Sequence, residues 1–255
     1  MSDDWDFHWR SLEPVTSILP SQAFRHRLVM KEIFRSRPNQ ILDVGCGQGD
    51  FLMCLSHHFE SHSLAGIDQS LVGVLSTKRK VPSADIRQVD LTSPRASQLE
   101  RRFDLITLIE VLEHVDEPVK FLCSALEYLK PGGVAVITVP SGPRTAFDKS
   151  IGHRRHFDKQ ELASILKTVG IVNIKVRRVG FPFFDMYRLI VLLSGKYLVD
   201  AANNAELDRS KFAHIVMRAF SLLLRANPNF IPFGLQLIAT GKYQNASTEL
   251  ATSVH

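Results

Sequence analysis

In the stretch ILDVGCGQGDF an acid, Asp43, ends an apolar run and glycines follow at alternate positions, Gly45, Gly47 and Gly49. Glycine adopts backbone angles that other residues avoid, and it lets a ligand approach the main chain closely. The ligand suited to this loop is not a phosphate. A pyrophosphate loop reads G-x-G-x-x-G, but the position of its third glycine is held by Asp50, whose carboxylate at a helix start would repel an anion. No Gly-Lys-Ser or Gly-Lys-Thr follows, which excludes a nucleoside triphosphate loop. A molecule with an amino acid end, a ribose and a base would use the nearby acids better. Those acids are Asp43 itself, Asp68 at the end of LAGID, and Asp90, which precedes Leu91 in RQVDL.

A second chemical stretch is FDLITLIEVLEHVDEP, in which Ile109 and Glu110 end another β-branched run. Glu110, Glu113 and His114 are spaced i, i+3 and i+4, so a helical turn would put all three on one face. Such a face could hold a divalent cation. Alternatively His114, with an ordinary pKa of about 6.5, could accept a hydroxyl proton as a general base, or simply pack beneath an acceptor. Further along, GHRRHFD supplies His153 and His156, and Arg154, Arg155 and His156 make a basic loop that would attract an anionic acceptor or a lipid headgroup. Cys46, Cys54 and Cys123 form no Cys-x-x-Cys pair, so neither a disulfide framework nor a closed zinc site is indicated. Cys46 reads as a small buried side chain and Gln48 as a spacer in the glycine loop.

These residues must be positioned by an α/β scaffold. Short β-branched runs at 41–44, 64–68, 86–89, 105–109 and 134–139 alternate with helical patterns at 50–59, from 71, and at 117–129, where Lys130-Pro131-Gly132-Gly133 gives a stop. That alternation builds a parallel sheet covered on both faces. A capped amphipathic helix is expected over 158–169, with Asp158 as the cap, followed by strands at 172–179 and 235–243. Between those two strands, residues 181–232 hold two apolar helical patterns interspersed with Arg188, Lys196, Arg218 and Arg225. This insertion leaves the end of a strand and so is a candidate lid. Phe181, Phe183, Phe184, Met186 and Tyr187 could line an apolar acceptor pocket, or pack as core. The fold class is thus a seven-stranded, mostly parallel sheet with helices on both faces and a helical insertion before the last strand. The organisation is a helical segment at 1–39, a ligand-binding core at 40–180, a cap at 181–232, the last strand at 233–243 and a tail at 244–255.

Over 40–180 the chain resembles the class I S-adenosylmethionine-dependent methyltransferases, whose first motif is an acidic residue followed by G-x-G-x-G. The resemblance implies S-adenosylmethionine as cofactor. It places Asp43 and the backbone of Gly45 and Gly47 around the methionine end and Asp68 at the ribose hydroxyls, with Gly49 and Gln69 also among the cofactor-binding residues. Asp90 and Leu91 would meet the adenine, with Ile109 and Glu110 facing cofactor and acceptor. The E-x-x-E-H wording is similar both to polyprenyl-catechol O-methyltransferases and to small-RNA 2′-O-methyltransferases that add a later His to the cluster. It is equally similar to metal-free small-molecule methyltransferases, and no metal ligand is included among the expected site residues.

The implied activity is methyl transfer to a small or lipid-like acceptor, preferentially at a hydroxyl, with His114 as the catalytic candidate. The rivals are a metal-assisted RNA 2′-O-methyltransferase and a non-catalytic cofactor-binding module. A formal charge of +5 on 255 residues is spread along the chain, and nucleic acid is not the expected partner. The insertion could contact a membrane surface peripherally. The amino-terminal stretch, MSDDWDFHWR, is acidic where a secretory signal would be basic, no stretch reaches the ~18 apolar residues needed to cross a bilayer, and a cytoplasmic location is expected. Trp5 and Trp9 are candidates to close the site from the amino-terminal side.

Overall fold

Apolar runs that are buried on both faces belong inside a parallel sheet and not at its edge, and the first two strands behave so. A computed structural model describes residues 5–12, 20–93, 103–193, 211–228 and 231–244. In it β1 (Ile41–Val44) and β2 (Leu64–Asp68) are buried at every position. With β3 (Asp85–Gln88), β4 (Phe103–Ile109), β5 (Leu129–Pro140), β6 (Ile171–Val179) and β7 (Gln236–Tyr243) they form one sheet in the order β3-β2-β1-β4-β5-β7-β6. β7 runs antiparallel to both neighbours, and the remaining pairs are parallel.

Side chains on successive strand residues point to opposite faces, and two cores result. Leu42 and Val44 of β1 and Ile106 and Leu108 of β4 enter one cluster, with Leu122, Leu126, Leu162 and Leu166 from α5 (Pro118–Leu126) and α7 (Lys159–Thr168). Ile41 and Leu105 enter the other, with Phe24, Leu28 and Ile33 of α2 (Pro20–Ser36), Leu52 and Leu55 of α3 (Asp50–Ser56) and Val74 of α4 (Leu71–Lys80). Before α2 lies α1 (Trp5–Leu12), and α6 (Ala146–Ser150) follows β5. The chain moves outward from β1 to β3 and then returns to place β4 on the other side of β1. The crevice at this switch, beyond the carboxyl ends of β1 and β4, is where open α/β sheets bind ligands.

Several boundaries differ from expectation, and the largest differences are at two helix ends and the start of β5. The helix expected over 117–129 stops at Leu126, because Leu129 is drawn into β5, where it pairs with Phe103. The Lys130-Pro131-Gly132-Gly133 stretch therefore lies inside the span of β5 and is not a loop before it. The helix expected over 50–59 ends at Ser56. By contrast, α7 begins as its sequence suggests, with the Asp158 side chain accepting from the N–H groups of Gln160 and Glu161 at 2.8 Å each.

The insertion between β6 and β7 contains α8 (Phe183–Leu193) and α9 (Lys211–Arg225). Of the two readings open for its aromatic residues, core packing holds for Phe184 and Tyr187. Phe184 is buried and stacks on Phe24 of α2 at 4.8 Å, and buried Tyr187 meets Phe220 of α9 at 5.3 Å, so the first turns of α8 close the core. Phe181 and Met186 are exposed, and Phe183 is half-buried beside the same core. Lys196 and the tail beyond 244 lie outside the described residues. No helix among the described residues is long and apolar enough to cross a membrane.

Candidate functional site

β1 delivers Asp43 to the crevice, and the loop after it turns back on itself through three left-handed glycines, with φ of 73°, 52° and 79° at Gly45, Gly47 and Gly49. The turn is tied to β2, since Gly45 and Cys46 both donate their N–H to the Ile67 carbonyl. Asp43 is buried and accepts a 2.6 Å hydrogen bond from the Thr107 hydroxyl on β4. Burial is the main reason its carboxyl is pushed up to about 7; the hydroxyl opposes that shift and nearby Asp68 adds to it. Asp68 closes β2 and is also raised by burial. One of its oxygens accepts from Gly47 N–H and the other from Ser70 N–H, both at 2.8 Å. One oxygen thus meets the glycine loop and the other the residue that caps α4, and a carboxylate oxygen has capacity to accept more than one hydrogen bond.

Next to Asp68, Ser70 caps α4 by accepting from Gly73 N–H, and the Thr77 hydroxyl donates to the Gly47 carbonyl at 2.8 Å. A Cβ on Gly73 would meet that same carbonyl at 2.8 Å, so α4 packs directly under the loop. α1 covers it from above. A Cβ on Gly47 would lie 2.5 Å from the Trp9 ring, the Gln48 side chain donates to the Trp9 carbonyl at 2.8 Å, and Asp6 accepts from the Ser70 hydroxyl at 2.5 Å. Gln48 is thus buried and bonded to α1, which is more than a spacer does. Gln69 is exposed, with its carbonyl accepting from the Gln88 amide. Asp90 accepts from the N–H and hydroxyl of Thr92, closing a local turn, while Leu91 is buried in the sheet core.

On the other side of the switch, Ile109 ends β4 and Glu110 follows with φ of 56°, a left-handed conformation uncommon for a residue with a side chain. That turn sends its carboxylate to Arg25 of α2 at 3.0 Å, to the Thr138 hydroxyl at 3.0 Å and to the Gln236 amide at 2.7 Å. The single helical face expected for Glu110, Glu113 and His114 does not form. A short 3-10 turn spans only Leu112–His114, and the left-handed residue before it separates Glu110 from the other two. The structure instead brings Glu113 and His114 together with His153, their donor atoms within 4.8 Å of one another. Glu113 is fully buried and neither carboxylate oxygen has a hydrogen-bond partner. Burial, with Glu110 adding to it, raises its carboxyl well above the usual range. His114 holds its Nδ1 against the Gly152 carbonyl at 3.1 Å, and Trp5 of α1 meets its ring edge-on at 4.8 Å.

The basic loop is not open to an anion in the way its composition suggests. Arg154 pairs with Asp116, Arg155 donates to the Asp116 carbonyl at 2.7 Å, and both backbone N–H groups go to the Glu113 carbonyl. Arg188 likewise turns inward, donating to the carbonyls of Ser141 and Leu235 at 3.1 and 3.0 Å, whereas Arg218 and Arg225 are exposed.

A family model described as a methyltransferase domain matches residues 19–176, more than half of the sequence. The chain belongs to the methyltransferase-domain family. Its fold and family together make it a class I S-adenosylmethionine-dependent methyltransferase. It is 34% identical over 120 residues to the mitochondrial ubiquinone biosynthesis O-methyltransferase of Schizosaccharomyces pombe. That match covers 44% of this chain and 43% of the relative, so the chain spans less than half the length of that protein. Among solved structures, the plantazolicin methyltransferase BamL, in complex with a substrate analogue and SAH, has a TM-score of 0.58 at 17% identity, covering 93% of this chain and 90% of that one. The 4+2 cyclase SpnF scores 0.58 at 21% identity over 86% of this chain and 80% of its own. These two likenesses show the fold.

Within this methyltransferase, several residues at the site lie outside the motifs. Thr107 and Thr77 had a findable signal: a polar residue in an otherwise apolar strand, and a second polar residue one helical face on from the Ser70 cap. Arg25 and Gln236 carry no local signal, because each gains its meaning from a partner far away in the chain, whereas Asp148 lies within eight residues of His153 and His156.

Proposed function

We propose that this methyltransferase moves the methyl group of S-adenosylmethionine to a hydroxyl oxygen of a small, lipid-like acceptor. The observation that carries this reading is the phosphate-free cradle: Asp43 and Asp68 on adjacent strands flank a loop of three left-handed glycines. When bound, the cofactor supplies an activated methyl on a positively charged sulfur. The chain's own task is to hold the donor, align the acceptor and exclude water. Asp43 would hold the ammonium group and Asp68 the ribose hydroxyls. Transfer of the methyl to the acceptor oxygen would break its bond to sulfur and release the hydroxyl proton. His114 is suited to take that proton: with its Nδ1–H donated to Gly152, Nε2 keeps the lone pair. Similarity to a ubiquinone biosynthesis O-methyltransferase supports oxygen as the atom modified, and the exposed apolar residues Leu189, Ile190 and Leu222 of the insertion support a lipid-like acceptor.

The test is calorimetry with S-adenosylhomocysteine on the wild type and Asp68→Ala, combined with transfer of labelled methyl to polyprenyl-catechol and simple catechol acceptors. Binding that Asp68→Ala abolishes, with label recovered in an ether, supports the reading. Binding without transfer to any hydroxyl acceptor would sink the O-methyl assignment.

A further inference from the structure

Between β5 and α7 three donor atoms converge that methyl transfer does not use. Asp148 Oδ1 lies 3.8 Å from His153 Nδ1 and 3.7 Å from His156 Nε2, and those two ring nitrogens are 3.0 Å apart. Ligand atoms held at about 2.1 Å around one tetrahedral ion are separated by ~3.4 Å, which these distances bracket. The three side chains are 5%, 10% and 4% exposed. Two of the three ligand residues, Asp148 and His156, are also held by a hydrogen bond on their far side, as ligating residues are in metal proteins. Asp148 Oδ2 accepts from the N–H and hydroxyl of Thr145 at 2.7 and 2.8 Å. His156 Nδ1 is 3.1 Å from the Gly142 carbonyl. Behind His153, its Nε2 faces Glu113 Oε1 at 4.0 Å, and this is the buried carboxylate that has no hydrogen-bond partner of its own.

We propose that Asp148, His153 and His156 hold one divalent transition-metal ion, with Glu113 as the carboxylate that orients His153. Two imidazoles and one carboxylate favour zinc, cobalt or iron(II) over magnesium or calcium, and three protein ligands leave a position open for an oxygen donor. This set differs from the Glu110, Glu113 and His114 spacing, whose first member is engaged by Arg25 and Gln236. Arg188 stands 3.5 Å from Asp148 Oδ1, and its other nitrogen is committed to two backbone carbonyls, so its hold on that oxygen is loose. The competing arrangement is Glu113, His114 and His153. His156 and Asp148 belong only to the proposed site and His114 only to its competitor, which makes the two separable.

The experiment is titration of the metal-stripped, untagged full chain with Co2+, followed by visible absorption and calorimetry, then displacement by Zn2+, with Mg2+ in a parallel run. One equivalent of Co2+ should give ligand-field bands that Zn2+ removes and Mg2+ does not. His156→Gln and Asp148→Asn should abolish the bands, His114→Gln should keep them, and Glu113→Gln should weaken affinity ~10- to 100-fold. Melting curves and S-adenosylhomocysteine binding establish that each variant is folded. If one of the two ligand variants does not fold, the other carries the test. No stoichiometric uptake, uptake that survives both ligand variants, or bands lost in His114→Gln alone would overturn the proposal.

Discussion

The two sides of the switch point are built on different physical principles. The donor side, from Asp43 to Leu91, is mainly backbone: left-handed glycines, strand-end N–H groups and a capped helix, with Asp68 accepting from Gly47 and Ser70 N–H and Asp43 from the Thr107 hydroxyl. The acceptor side is buried charge in two neighbouring clusters, one of Arg25, Glu110 and Gln236 and one of Glu113, His153, Asp148 and Arg188. A site that uses main chain to bind a constant ligand can be compact in sequence. A site that must be specific to an acceptor recruits side chains, and there each unpaired charge is a liability until something occupies the pocket.

That contrast makes the acceptor side the more fragile to single changes. Glu110→Ala removes the partner of a mostly buried Arg25 and two further hydrogen bonds. A loss of about 3 kcal/mol in unfolding free energy is expected by denaturant titration, with Glu110→Gln recovering part of it through the Thr138 and Gln236 contacts. A loss under ~1 kcal/mol, the range of exposed ion pairs, would mean that the network is solvated and that the two sides do not differ.

The same contrast explains what could be read from the residues in order. The β1 to β4 strands, the glycine turn and the Asp158 cap follow from local composition and spacing, since each is decided within a few residues. The E-x-x-E-H face could not be read, because its period presumes a helix and Glu110 adopts a left-handed turn whose side-chain partners, Arg25, Thr138 and Gln236, lie far away in the chain. The aromatic run at Phe181 to Tyr187 leaves pocket lining and core packing open for a related reason. Helical spacing gives the face but not what covers it, and α2 takes Phe184 into the core.

The donor side is sharpened by charge. Asp43→Asn removes a carboxylate expected at the cofactor ammonium, and a hydrogen bond to a charged group is worth ~1.5–3 kcal/mol, so calorimetry should show a loss of about 10- to 150-fold. The pH dependence has a defined sign. With its folded carboxyl raised to about 7, Asp43 is protonated in the free protein below that value, so affinity for S-adenosylmethionine should fall from pH 8 to pH 6, and Asp43→Asn should flatten the profile. In the free protein, ionising a group whose pKa is raised costs stability, so its contribution declines as pH climbs from the ordinary aspartate range through 7. A flat binding profile in the wild type would remove Asp43 from the ammonium site.

Backbone is the other half of the donor side. Gly47→Ala forces a side chain into φ of 52°, at a cost of about 1–2 kcal/mol, and sets its Cβ 2.5 Å from Trp9. Pairing it with Trp9→Ala removes the contact but not the backbone cost, so only part of the lost cofactor affinity should return. Full recovery would mean that α1, and not the left-handed turn, sets the requirement for glycine.

The smallest expected effect falls on a residue just outside both regions. Asp158→Ala deletes the two hydrogen bonds that cap α7 and should lower stability by about 1 kcal/mol. Asp158 follows buried Phe157, whose N–H donates to the Pro140 carbonyl at 3.1 Å, so the loop carrying His153 and His156 is anchored ahead of the cap. Cofactor affinity should therefore stay within the error of the wild type, and turnover with it, while the melting temperature drops. If turnover falls and cofactor binding does not, the start of α7 is part of what holds the acceptor-side histidines, and that network extends one helix further than its direct contacts indicate.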